Sequence, residues 1–382
     1  MPRLRRRRLT FRRPDDRGGV ATIVALLMAF GVLLGMTALV VDVGRLYAER
    51  EELQSGADSA AYAIALDCAK NRTDCATGAA ELTADGYADD NARDGQSAIA
   101  GVCGRDAGNR LQSCLSGPVG NLTDCIGTIP AGVNYVEVRT MTRLRNGDFV
   151  LPPSFAQTLA GGYQGTQVGA CARVAWGPPA GGLALTISVC EYNAATSNGT
   201  VFAPLPPYPP DPAVGLEQVI RLHGPGAQTC NPGNPPAGWD FPGGFGWLDE
   251  TGTKPCTFAT EPDLDYGGNT GNNASRNCGD ALIAARASHT VQIVPIYKWI
   301  DGQGQQATYR LERLAGFVVT GYFLDGQGNQ DLREPSNVNP SFDPCSGNDR
   351  CLYGFFVDVA IIPGGTVGVG PDLGVTVIKT IG

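Results

Sequence analysis

Residues 18–41 read GGVATIVALLMAFGVLLGMTALVV, with no Asp, Glu, Lys, Arg or His among them. At a helical rise of 1.5 Å these residues extend about 36 Å, against a hydrocarbon layer about 30 Å thick. The stretch predicts a transmembrane helix. Before it stand Arg3, Arg5, Arg6, Arg7, Arg8, Arg12, Arg13 and Arg17, opposed only by Asp15 and Asp16. After it, Asp42, Arg45, Glu49, Arg50, Glu51 and Glu52 carry a mixed, slightly acidic balance. Basic residues stay on the cytoplasmic side of a span, so the arginines act as a topology signal. Residues 1–17 are thus expected to form a cytoplasmic tail, and the chain beyond residue 41 an exported ectodomain of a single-pass protein of the cell membrane. A cleaved signal peptide is the competing reading, but its apolar core runs about 7–15 residues and ends at a small-residue A-x-A site, which is not evident here. A twin-arginine export signal at Arg7 and Arg8 is a second alternative, although an arginine run supplies such pairs by chance.

The charge balance narrows the function. The chain carries a net charge of -8, and beyond residue 17 it holds 21 basic against 35 acidic residues. An acidic ectodomain excludes nucleic acid as a partner, because phosphates demand clustered Lys and Arg. All twelve cysteines lie beyond the span: Cys68, Cys75, Cys103, Cys114, Cys125, Cys171, Cys190, Cys230, Cys256, Cys278, Cys345 and Cys351. An even count in an exported chain reads as a disulfide framework of unassigned connectivity. No pair has the C-x₂-C spacing of a zinc ribbon, and His223 and His289 are far apart, so no metal is expected.

Helix-forming residues continue from Asp42 to about residue 69 without a proline, which predicts one long helix rooted in the bilayer. A heptad from Leu39 places Leu39, Val43, Leu46, Arg50, Leu53, Ala57, Ala60, Ile64 and Asp67 at a and d. Such a stripe needs a partner surface, either this chain's own ectodomain or a helix of another subunit. Inside the span, Gly31 and Gly35 form a G-x-x-x-G, the spacing at which two membrane helices approach closely.

Residues 71–132 turn polar, Gly-rich and cysteine-dense, with a short helix expected near 76–92. From residue 133 the pattern is one of strands: 133–139, 167–176, 183–190, 217–222, 291–300, 308–324, 352–362 and 375–380, rich in β-branched and aromatic residues. Two long loops are expected, 196–212 and 224–280, the second stapled by its cysteines. The run 315–324 is too short to span a membrane and suits a buried strand. The expected fold class is α+β: a transmembrane helix continuing into an extracytoplasmic amphipathic helix over 42–70, then a disulfide-rich, mainly β ectodomain over 133–382.

Catalytic constellations are missing. There is no G-x-x-x-x-G-K-[ST], no G-x-S-x-G and no H-E-x-x-H, and residues 368–373 lack the third glycine of a dinucleotide fingerprint. A calcium loop from Asp263 fails at Gly267 and Ala274. No cofactor, small-molecule substrate or enzymatic activity is expected. Trp239, Phe241, Phe245 and Trp247 crowd together among glycines, which reads either as an aromatic plug between disulfides or as an exposed binding loop.

The stretch from Arg17 through Gly18, Gly19 and Val20 to Val24, the run Leu39-Val-Val-Asp-Val-Gly-Arg-Leu-Tyr47 and the run Leu53-Gln-Ser-Gly-Ala-Asp-Ser-Ala-Ala61 resemble the N-terminal segment of TadE/TadG-like Flp pilus-assembly proteins. The resemblance covers about residues 17–66, with small exchanges at Gly56 and Tyr62. Further on, Cys171 to Trp176, Leu185 to Cys190, Pro242 to Asp249, Val294 to Tyr297 and Ala315 to Tyr322 look like the ectodomain of the actinobacterial branch. The resemblance implies a membrane-anchored accessory or minor-pilin-like component of a tight-adherence pilus, without catalysis, that meets other subunits through its N-terminal helix. Two departures limit it. Cutting after Gly19 would put Val24 where a prepilin needs Glu, so cleavage is not expected. The D-x-S-x-S of a von Willebrand type A domain is missing, so ion-dependent adhesion does not carry over. A cell-surface glycan or cell-wall receptor using the aromatic loop is the alternative function, and an unrecognised secreted hydrolase the third. Asp42 and Arg45, one turn apart at the membrane exit, are expected to pair and set the depth of the helix.

Overall fold

The computed structural model describes residues 17–29, 31–70, 75–114, 125–159, 162–205, 214–224, 227–252, 254–270, 276–325 and 331–382. The helices are α1 (Arg17–Ala29), α2 (Val32–Lys70), α3 (Thr77–Asn91), α4 (Ala156–Leu159), α5 (Val189–Thr196) and α6 (Arg276–Ser288). The strands are β1 (Ser97–Arg105), β2 (Asn134–Thr142), β3 (Gly169–Gly177), β4 (Gly181–Leu183), β5 (Leu185–Ser188), β6 (Gln218–Arg221), β7 (Phe245–Leu248), β8 (Thr257–Ala259), β9 (Asp265–Asn269), β10 (Gln292–Asp301), β11 (Ala307–Asp325), β12 (Asp331–Glu334), β13 (Cys351–Val357), β14 (Ile361–Pro363) and β15 (Thr376–Thr380).

The expected single helix is divided. Gly31 has φ +69°, a left-handed value that glycine tolerates and that ends a right-handed turn. Hydrogen bonding resumes at once, since Gly31 N donates to Met28 O and Gly35 N to Gly31 O. Among the described residues no helix is by itself long and apolar enough to cross a membrane. The uninterrupted transmembrane helix expected over 18–41 is thus replaced by α1 and the first turns of α2. Arg3 to Arg13 lie outside the described residues.

The second half of α2 carries the first core. Leu53, Ala57, Ala60, Ala61, Ile64, Ala65 and Cys68 are buried at three- and four-residue spacing, the face of a helix against a flat surface. Facing them are Ala80, Ala84 and Ala88 of α3 and Val136, Val138, Ala172, Val174, Trp176 and Ile378 of a sheet ordered β1-β2-β3-β15-β14. Only its β14–β15 pair is parallel. So the predicted stripe from Leu53 to Ile64 is covered by the chain's own α3 and first sheet. Leu39 and Val43, at its N-terminal end, stay exposed. Helices α2 and α3 meet at Gly56, where an added Cβ would lie 3.1 Å from the Ala88 Cα. Gly56→Leu is expected to push the helices apart and cost about 1–3 kcal/mol, read by denaturant titration; an unchanged midpoint would contradict this packing.

The polar stretch 71–132 is more than a linker, for it supplies α3 and the edge strand β1. On the reverse face of the first sheet Val133, Tyr135 and Ala175 are buried under Cys114, Ile129, Val367 and Ile381, and Ile381 N donates to Arg173 O as the β15–β3 ladder runs on. Disulfides Cys103–Cys114 and Cys125–Cys171 hold that cover in place, and Cys68–Cys75 ties α2 to the approach of α3.

The second sheet is organised by the 19-residue strand β11. It pairs with β10, β9, β13 and β12, while β10 also joins β5, β5 joins β7 and β7 joins β9. Strands β10, β5, β7, β9 and β11 thereby close into a ring, which leaves none of the five as a free edge along its whole length. Buried Tyr297, Tyr309, Phe245, Leu185 and Ile187 fill its core.

Most expected strands are present near their predicted bounds. The run 183–190 divides instead, because Ser188 accepts a hydrogen bond from Glu191 N and caps α5. The expected loop 224–280 holds β7, β8, β9 and the start of α6. Cys190–Cys230 and Cys256–Cys278 staple this region, and Cys345–Cys351 anchors the first residue of β13.

Candidate functional site

Asp42 is the first charged residue after the apolar stretch, and its carboxylate is occupied by backbone. It accepts hydrogen bonds from Ser154 N at 2.6 Å, Phe155 N at 3.0 Å and Ala156 N at 2.7 Å. These are the otherwise unpaired donors at the start of α4. One turn along α2, Arg45 donates through Nη1 to Pro152 O at 3.4 Å and to Ser154 Oγ. The expected Asp42–Arg45 pair therefore becomes a joint grip on residues 152–156 that latches this loop to the helix. Burial pushes the Asp42 carboxyl up, but the Phe155, Ser154 and Ala156 N–H groups and the Arg45 charge outweigh it and hold the carboxyl below the usual range.

Further up α2, Glu52 accepts from Arg93 N at 2.9 Å, Gln54 Nε2 donates to Cys171 O at 3.0 Å, and Leu53 O accepts from Thr140 Oγ1 at 2.9 Å. From Asp42 to Gln54, α2 is therefore joined to the rest of the chain by directional bonds over three turns. None of these partners was picked out from the sequence, because each joins residues far apart in the chain.

Gly31 immediately precedes α2 and Gly35 lies in its first turn, and nothing among the described residues comes within 4 Å of a Cβ built at either. The left-handed turn at Gly31 interrupts the regular helix that a G-x-x-x-G face requires. Arg17 begins α1.

On the reverse face of the first sheet, Glu137 is buried and bound by two arginines, with Arg139 Nε and Arg173 Nε each at 2.6 Å. The sulfurs of Cys103, Cys114, Cys125 and Cys171 surround the same carboxylate. They are consumed in disulfides, and two guanidiniums already neutralise the carboxylate, so this donor set does not fit a cation. The alternation Glu137, Val138, Arg139 was a usable signal, since residues two apart on a strand share a face.

The aromatic segment divides. Phe245 and Trp247 point into the core from β7 and are unavailable to a ligand, which corrects their place in a binding loop. Trp239 is half-buried beneath Arg310, at 4.6 Å, and Phe241 is exposed. The histidines make local bonds. His223 Nδ1 lies 2.8 Å from Gly243 O, and His289 Nε2 3.2 Å from Asn337 Nδ2. Asp89 accepts from Ser97 N and Oγ, and Asp265 pairs with Arg310.

Glu191 had no sequence signal. Burial raises its carboxyl to about 7, against smaller lowering effects of the Gln228 N–H and Arg221. Because the folded value lies above the ordinary 4.5, its contribution is fully present below about pH 4.5 and is lost as pH rises through 7. Glu191→Gln keeps an acceptor for Gln228 N and is expected to be more stable than the parent at pH 8 by up to about 3 kcal/mol. The difference should vanish at pH 4; a constant difference in melting temperature across that range would refute it.

Residues 19–66 match the family model described as "Putative Flp pilus-assembly TadE/G-like". The match contains the apolar stretch, Asp42, Arg45 and α2 as far as Leu66, and it shows the TadE/G-like resemblance for this part of the chain. It supports a role in Flp/Tad pilus assembly. Comparison with curated proteins and with solved structures finds no match.

Proposed function

We propose that this chain is a membrane-anchored accessory component that assists assembly or anchoring of a Flp/Tad-type surface pilus, without catalysis of its own. The observation that carries the reading is the exposed apolar surface within the TadE/G-like match. Val20, Ile23, Val24, Leu26, Met28, Val32, Met36, Leu39, Val40 and Val41 are all exposed on α1 and α2, without an intervening charge. So long an apolar surface is unfavourable in water and is covered by lipid or by other membrane helices. The break at Gly31 is compatible with a bilayer, because the backbone bonds from Gly31 and Gly35 continue across it. The arginine-rich tail then stays in the cytoplasm and the disulfide-bonded sheets lie outside, where oxidation is permitted. Other pilus subunits meet the chain through the N-terminal helix.

The Asp42 latch makes the helix and the ectodomain one mechanical unit, as an assembly component bearing load across a membrane requires. Deleting the gene is expected to reduce surface pili, with recovery on complementation. Asp42→Ala strips Ser154, Phe155 and Ala156 of their common acceptor and is expected to lower pilus number at unchanged protein level. Unchanged pilus numbers in the deletion strain would contradict the assembly role, and full complementation by Asp42→Ala would contradict the latch.

A further inference from the structure

We infer that residues 149–156, with Tyr163 beside them, form a second membrane contact, seated in the lipid interface of the outer leaflet beside the point where α2 emerges. This inference rests on the membrane-anchored reading proposed above. Three observations carry it.

The first is position. The Asp42 carboxylate holds Ser154, Phe155 and Ala156 directly, so the loop lies level with the first charged residue after the apolar stretch. Tyr163 lines the same crevice as Asp42, Arg45 and Leu46.

The second is composition. From Phe149 to Gln167 the sequence has no Asp, Glu, Lys, Arg or His. Phe149, Val150, Phe155 and Tyr163 are 44%, 42%, 49% and 40% exposed. Exposed aromatics on an uncharged loop are costly in water, whereas the headgroup boundary favours them. Tyr47, 66% exposed on α2 just beyond the latch, adds to this aromatic belt.

The third is backbone satisfaction. A segment that gives up water at the acyl boundary is favoured when its N–H groups already have partners. Leu151 N donates to Thr166 O, Pro152 and Pro153 have no N–H, and the next three donors are all taken by Asp42. Residues 151–156 can therefore leave water without exposing an unpaired donor. Lipid, continuous with the apolar surface of α1 and α2, is the occupant that this combination fits.

The test uses the full chain in vesicles of phosphatidylethanolamine and phosphatidylglycerol with a radiolabelled acyl chain. The photo-cross-linking residue p-benzoylphenylalanine replaces Val40, Phe155 or Phe241 in turn, and the oxidised disulfides are checked by mass. Phe241 is exposed on the aromatic segment, outside the residues that Asp42 holds. The inference predicts lipid adducts from positions 40 and 155 and only background from 241. Adducts from 40 but not 155 would overturn the inference and leave the anchor standing, whereas no adduct from 40 would sink the anchor itself. A cross-link from 155 to a second protein chain in place of lipid would also overturn it.

Discussion

Replacing Glu137 by Gln is expected to destabilise the ectodomain by about 3–5 kcal/mol, the loss that follows removal of one partner from a buried ionic cluster. The carboxylate is 1% exposed, and the side chains of Arg139 and Arg173 are 7% and 14% exposed. A glutamine amide can accept from one guanidinium, but its NH₂ group faces the other, and two positive charges lose the buried anion between them. Arg173 also donates to Cys125 O and Gly127 O, so the loop on the reverse face is expected to loosen with it. Denaturant titration of the full chain in detergent, with disulfides oxidised, reads the loss. Replacing the whole cluster, Glu137→Leu with Arg139→Leu and Arg173→Leu, should recover much of it, because apolar replacement of an entire buried cluster is often neutral. A loss below about 1 kcal/mol for Glu137→Gln alone would mean that the arginines reach water and that this face is open.

Removing the Cys190–Cys230 bridge by paired serine substitution is the second large effect. Its ends are 40 residues apart, and the chain-entropy relation assigns such a closure about 4 kcal/mol, against about 2 kcal/mol for the Cys345–Cys351 closure. The latter spans only 6 residues. The longer bridge ties α5 to the loop that precedes β7, so its loss should expose Phe245 and Trp247 and red-shift the Trp247 emission. Thermal melts of the two double variants give the comparison. Equal losses, or a greater loss for the short bridge, would show that the loop 190–230 is held by packing instead.

Sequence patterning was informative where the physics is local. The α2 face from Leu53 to Ile64 follows from helical spacing, and strands such as 291–300 and 308–324 follow from runs of β-branched and aromatic residues bounded by glycine. The short strands β7, β8 and β9 were concealed because each has only three to five residues, and β7 and β9 also carry glycine. The break at Gly31 was equally obscure, since glycine is common in apolar helices and only its left-handed φ separates a hinge from a packing face. For the candidate site, Asp42 and Arg45 were visible as a charged pair at the end of an apolar run. Their actual partners, 152–156, lie more than a hundred residues away, in a loop with no charge to draw attention. Glu191 was hidden for a related reason, as nothing in its neighbours in sequence reveals that folding will bury it.

The membrane-anchored reading is tested most directly by protease treatment of spheroplasts that express the full chain with an N-terminal epitope tag, followed by alkaline extraction of the membranes. The account predicts that protease added outside degrades the ectodomain, while the tag survives on a short fragment that stays with the bilayer after extraction. Release of the intact chain into the alkaline supernatant, or loss of the tag to external protease, would contradict it.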